Sequence, residues 1–371
     1  MNHESRTDLT ERMAAFARAR IAPRDDLHAL ESFPLDIWRG MAEDGLLGVG
    51  IAPHHGGVGG DWRDVSALAR TLSAEGGNLG MAMSWLVHIV VSRLIVGGFG
   101  TPAQTEDLLP KLAHGTITPC VAISEPGAGA HPKRLTARAE RTDGGFVLNG
   151  EKTYLTNGPI ADLFVVLAIT VEVDGRKRFS AFLVDKDNPG LELTPTLPVD
   201  FLKPSPHCGI RLTDCRVVAD AMLGPEGEAF ETMSTAMRAV EDTIGLGSMT
   251  GAVTHQIDLL AAAAMDGTDD FAAALGAAAA MPAGLRAMAE AAASVLDRFG
   301  PRDPGLGDLA AAFRATVRHT QELIGEARVN ATLADTARLD IATHDVVKTL
   351  GIAGAAHRLN DAKRGRAYLI E

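Results

Sequence analysis

Two short runs hold residues whose types and spacing could build a ligand site: Ile123 to Ala130, ISEPGAGA, and Asn149 to Gly158, NGEKTYLTNG. In the first, Pro126 fixes φ, while Gly127 and Gly129 permit backbone angles and a close approach that a Cβ would forbid. Main-chain N–H groups in such a turn can face a flat ligand. Hydroxyls at Ser124 and Thr156 can hydrogen-bond a polar ligand edge, and the ring of Tyr154 can pack against it. Taken alone, the turn reads equally as an ordinary β-turn and hairpin, and a lone strand tyrosine as a half-buried aromatic. Two such motifs in succession shift the balance toward a site.

The elements around them fall into three stretches. From Thr7 to about Leu112 the apolar spacing is helical, with Pro23, Pro34, Pro53 and Pro102 at breaks; Leu35 to Leu46 and Val65 to Leu72 are predicted amphipathic helices. Thr101 or the next turn begins a helix that Gly115 ends. Between about Pro119 and Gly227, runs such as LFVVLAITV, RFSAFLVD and GIRLTDCRVV alternate with Gly, Asn, Asp and Pro turns, which predicts strands. Beyond Glu228 helix formers return, with alanine tracts among Leu, Met and Phe that point to close helix packing. The predicted domains are 1–118, 119–228 and 229–371.

With 371 residues the chain can bury a large core. Its 35 Lys and Arg against 47 Asp and Glu, a net charge of −12, argue against general affinity for nucleic acid or an anionic membrane. The opening MNHESRTDLTERM has no apolar h-region, and the apolar stretch Trp85 to Phe99 is short for a bilayer, so a cytoplasmic protein is expected. Cys120, Cys208 and Cys215 show neither metal nor disulfide spacing and read as buried small hydrophobes; no metal site is expected.

In this order, [ST]-E-P-G-A-G followed by N-G-x-K-x-x-x-T-N-G resembles the flavin-facing domain of the acyl-CoA dehydrogenase family. The stretch GFGTPAQTEDLLPKLAHGTI is similar to the passage that precedes it there. The resemblance implies a multi-domain α+β fold: an N-terminal helical domain, a central β-barrel domain and a C-terminal four-helix bundle. It implies FAD as cofactor, contacted by Ile123, Ser124, Gly129, Ala130, Tyr154 and Thr156, with Lys348 and Gly351 from VVKTLGIAG reaching the adenosine portion across a subunit interface. The implied reaction is α,β-dehydrogenation of an acyl thioester, acyl-CoA or acyl-carrier protein, with an electron-transferring flavoprotein as acceptor.

That reaction needs a carboxylate in a dry pocket. Most of the family place it near the C-terminus in Y-E-G; here Tyr368 matches the tyrosine and Leu369 occupies the glutamate position, so these two residues are assigned to substrate binding, Leu369 through its N–H. Members resembling isovaleryl-CoA dehydrogenase carry the base on a helix ten residues before a glycine, which Glu241 satisfies before Gly251 in AVEDTIGLGSMTGAV. Glu241 is therefore the expected base, against the alternative of a solvated helix carboxylate, and Glu371 is the fallback. Departures from the family pattern are Ala130 for a serine, Tyr154 for a tryptophan, Asp242 for an arginine, Gly267 for the arginine of R-x-x-F-G, and Lys348 for a glutamine. They leave open a homo-oligomer or a heteromer with a related subunit, a non-catalytic subunit, and a flavin monooxygenase on the same fold.

Overall fold

The structure, a computed structural model, describes residues 6–195 and 199–369. Its first third is helical: α1 (Arg6–Arg20), α2 (Leu35–Glu43), α3 (Trp62–Gly76) and α4 (Leu79–Ile89), which runs through a π-helical segment, Val90–Val96, into α5 (Gly97–Phe99), then α6 (Pro102–Ala113). Local chemistry sets the ends. Asp61 and Asp64 exchange backbone-to-carboxylate bonds at the start of α3, and at the start of α6 the Thr101 hydroxyl and the Gln104 amide oxygen each accept from the other's backbone N–H, each pair a reciprocal cap of otherwise orphaned N–H groups. Gly115, at φ +65°, turns the chain out of α6.

The run Leu79–Phe99 is 21 residues long, more than its apolar core alone suggested, and has the length and composition of a membrane span; 83% of its apolar 18-residue window is buried inside the protein, where it serves as a core helix.

Eight strands follow: β1 (Pro119–Ala122), β2 (Arg138–Thr142), β3 (Gly145–Thr156), β4 (Leu163–Val173), β5 (Arg176–Asp185), β6 (Leu191–Thr194), β7 (His207–Val218) and β8 (Met222–Leu223). They make one mixed sheet in the order β6-β7-β3-β2-β4-β5-β8, with β1 parallel to β4. The barrel expected from the sequence is thus a hydrogen-bonded path with β6 and β8 at its ends. Strand β4 is buried on both faces, which explains its unbroken apolar run. Phe164, Val166 and Ala168 join one cluster with Phe146 and Phe182, while Val165, Leu167 and Ile169 point the other way into the main helical core.

The last third comprises α7 (Thr235–Ala263), α8 (Asp269–Phe299), α9 (Gly305–Val329), α10 (Ala337–Gly351) and α11 (Gly354–Tyr368), one helix more than a four-helix bundle. Helix α8 also has the length and composition of a span, with 22% of that window buried, and packs on α7 and α9. Helix α7 lies backbone-to-backbone on α3: a methyl on Gly247 would strike the Ser66 carbonyl oxygen, and one on Gly251 that of Arg70. Gln256 ties α7 to both α9 and α10 through Gln321 and Thr343, each at 2.9 Å. The helix carrying Glu241 is therefore fixed from several sides.

Candidate active site

The two sequence motifs are joined through buried charge. Lys152 Nζ donates to Glu125 Oε1 at 2.9 Å and to the Ile123 carbonyl at 3.1 Å, with the two side chains 0% and 4% exposed. Glu125 also accepts from Thr136 N, Thr136 Oγ1 and Ala137 N. The acid of E-P-G-A-G and the lysine of N-G-x-K thus hold the turn onto β3 and do not face a ligand. Thr153 N donates to the Ser124 carbonyl at 2.9 Å, which sets Ser124 beside the Tyr154 strand end. Gly129, at φ +57°, and Ala130 lie on the exposed side of the turn, with open space over the backbone of Gly127 and Gly129.

The T-N-G end of the second motif anchors the sheet to the helices. Asn157 is fully buried and donates to the Ser84 carbonyl of α4 at 2.9 Å. One residue back, Thr156 Oγ1 lies 3.1 Å from His207 Nε2. His207 Nδ1 sits 3.0 Å from the Ser205 carbonyl, which can only accept, so Nδ1 carries the proton and Nε2 receives the Thr156 hydroxyl hydrogen. Thr156 Oγ1 is left with acceptor capacity. Burial lowers the His207 pKa, keeping this neutral tautomer.

Tyr154 and Thr156 line a cavity of about 510 Å³ between sheet and helices, and Glu241 lines it too. Leu79, Met83, Leu86 and Val87 of α4, with Leu246 and Met249 of α7, supply apolar wall; Arg238, Asp242, Arg314 and His357 supply charge and polarity. Glu241 is partly exposed, toward the cavity it lines, and makes no hydrogen bond or ion pair among the described residues. Burial pushes its carboxyl up to about 7; Asp242 adds to the rise and Arg238 opposes it. A solvated surface carboxylate would not titrate there. Asp242, where the family has an arginine, is paired with Arg238 at 3.2 Å.

Other expected site residues lie elsewhere. Ile123 is buried with its carbonyl taken by Lys152. Lys348 lies 3.5 Å from Asp200 on the surface, and Gly351 ends α10, exposed. Leu369 is 83% exposed, its N–H bonded to the Arg366 carbonyl at 3.1 Å, and it is not among the residues that line the cavity. Tyr368 closes α11, with a side chain outside the described residues, as is Glu371. Gly267 lies in the α7–α8 loop, where Asp266 accepts from Thr332 N and Asp269 and Asp270 occupy the favourable first turn of α8. Sequence reasoning missed His207, Arg314 and His357, whose roles come only from packing.

A helical layer, a mixed sheet and a second helical layer enclose an apolar cavity that the T-N-G strand and an acid of raised pKa both line. Residues 3–116 match the model of the acyl-CoA dehydrogenase N-terminal domain and residues 120–215 that of the acyl-CoA dehydrogenase middle domain, and the chain belongs to the acyl-CoA dehydrogenase family. It is 30% identical over 237 residues to the mitochondrial isovaleryl-CoA dehydrogenase of Oryza sativa subsp. japonica, a match covering 63% of this chain and 58% of that relative, under two thirds of its length. In three dimensions it resembles butyryl-CoA dehydrogenase from Megasphaera elsdenii over the full length of both chains, with TM-score 0.84 and 19% identity. It also resembles a glutaryl-CoA dehydrogenase from Mycobacterium smegmatis in complex with FADH2, with TM-score 0.78 and 20% identity, over 93% of this chain and 89% of the other.

Proposed function

We propose that this chain oxidises an acyl thioester to its 2-enoyl form, with Glu241 as the base that removes the α-proton. The observation that carries the reading is the placement of Glu241: it lines the same cavity as Tyr154 and Thr156, unpaired among the described residues, with a pKa raised to about 7. At neutral pH such a carboxyl is divided between its two forms, so it can accept a proton without the driving force falling away. FAD, when bound, supplies the hydride acceptor. The donor set fits its flat ring: a half-exposed Tyr154 ring for packing, Thr156 Oγ1 as acceptor, and Ser124 alongside. The apolar wall from α4 and α7 receives the acyl chain and excludes water, which keeps the carboxyl pKa high.

Reduction of protein-bound flavin under anaerobic conditions by a panel of acyl-CoA thioesters tests the reading and finds the acyl group. Glu241→Gln is expected to retain flavin and slow bleaching by about 10²–10⁴-fold; unchanged bleaching would remove Glu241 as base, and bleaching by none of the panel would remove the activity. Electrons then pass to a flavoprotein of the electron-transferring class. A second reading, a subunit working with a related chain, is favoured by Gly267 in the arginine position and by Lys348 held at Asp200. A flavin-saturated homo-oligomer in native mass spectrometry would exclude it.

A further inference from the structure

Pulling a proton from the carbon next to a thioester places negative charge on the thioester oxygen, and an enzyme needs donors aimed at that oxygen. Leu369, whose N–H the resemblance assigned to this task, points away into solvent with that N–H already engaged. The cavity itself holds unspent polar groups. His357, in the first turn of α11, has both ring nitrogens buried without a partner, and the Thr349 hydroxyl on the same wall is also buried and unpartnered. Arg314 of α9 lines the cavity and makes no hydrogen bond or ion pair among the described residues. The acids closest to it are engaged by others: Asp242 by Arg238 at 3.2 Å, Asp361 by Arg364 at 2.8 Å.

Nor does a bond join Arg314 to Glu241 among the described residues, so cation and carboxyl face one cavity without neutralising each other. We propose that Arg314, seconded by His357, donates to the thioester oxygen of the bound substrate and so stabilises the charge that Glu241 creates. The assignment rests on the acyl-thioester reading above. The step balances within three groups: the Cα–H bond breaks, its proton joins a Glu241 carboxylate oxygen, and the electron pair spreads over Cα and the carbonyl onto the oxygen that Arg314 faces. Burial lowers the pKa of both Arg314 and His357; the guanidinium remains a cation, while the imidazole stays neutral with one N–H to give. A cation in an apolar-walled cavity acts more strongly on such charge than one in bulk water.

The purified flavoprotein, loaded with crotonyl-CoA labelled with carbon-13 at the carbonyl, gives a direct readout in isotope-edited infrared difference spectra. The wild-type protein is expected to lower the carbonyl stretch relative to free crotonyl-CoA, Arg314→Gln to return it toward the free position, and Arg314→Lys to keep part of the shift. Exchange of the α-hydrogens of butyryl-CoA with deuterium oxide, read by mass spectrometry, is expected to fall on the order of a hundredfold in Arg314→Gln. Glu241→Gln should lose exchange yet keep the lowered stretch, separating base from donor. An Arg314→Gln protein with the wild-type stretch and exchange overturns this assignment and leaves the parent reading standing. A wild-type protein that leaves crotonyl-CoA at its free frequency and exchanges no α-hydrogen overturns both.

Discussion

A carboxyl held inside an apolar wall should be a burden on the fold, and Glu241 allows the burden to be measured. Its carboxyl titrates near 4.5 in the unfolded chain and near 7 in the folded one. Between those values the folded protein holds a proton that the unfolded chain has released. Stability contributed by this group is therefore complete below pH 4.5 and lost as pH rises through 7. At about 1.4 kcal/mol per pH unit, ionising Glu241 in place costs about 3 kcal/mol, or roughly 2–3 kcal/mol once water entering the cavity is allowed for. Glu241→Gln keeps the shape and removes the titration. Urea unfolding of both proteins at pH 4.5 and pH 8.5 should show the stability difference moving by that amount in favour of the variant at the higher pH. A difference that stays constant across the two pH values would mean that Glu241 titrates as an ordinary surface acid, and the case for a tuned base would collapse.

Lys152→Met strands the buried Glu125 carboxylate and is expected to lower stability by about 3–5 kcal/mol; adding Glu125→Gln should recover part of the loss, both read by urea unfolding. Gly251→Ala drives a methyl into the Arg70 carbonyl and is expected to cost about 1–3 kcal/mol. Gly276→Ala, in an exposed turn of α8 with open space around it, should instead gain about 0.5–1 kcal/mol, as thermal unfolding of the pair would show. Lys348→Ala removes only an exposed contact with Asp200 and should change stability by less than about 1 kcal/mol, with the remainder vanishing in high salt.

What the sequence disclosed was local or strongly patterned. Thr101 and Gly115 bracket α6 because capping and left-handed backbone are decided by residues within one turn. Strand β4 was visible because its unbroken apolar run suits burial on two faces. The spacing that singled out Glu241 ends on Gly251, a glycine that the structure explains by the close approach of α3. Leu369 does not line the cavity, and its place depends on how α11 packs, which no local signal reports. Arginine on a helix and histidine near a helix start usually face water, so Arg314 and His357 carried no mark; only the cavity that residues of α7, α9 and α11 line together withdraws them in part from solvent. Glu125 carried no assigned role in the sequence, and only the pairing of the two motifs reveals it as an anchor.

The glycine seam between α3 and α7 has a bearing on how this chain could be recombined with its relatives. Because main chain rests on main chain there, the first and third segments behave as a single mechanical block, and the position of Glu241 is referenced to the amino-terminal helices. Chimeras that import a foreign third helix standing an ångström farther off would carry Glu241 outward with it, so segment swapping succeeds only when the two halves of that seam travel together.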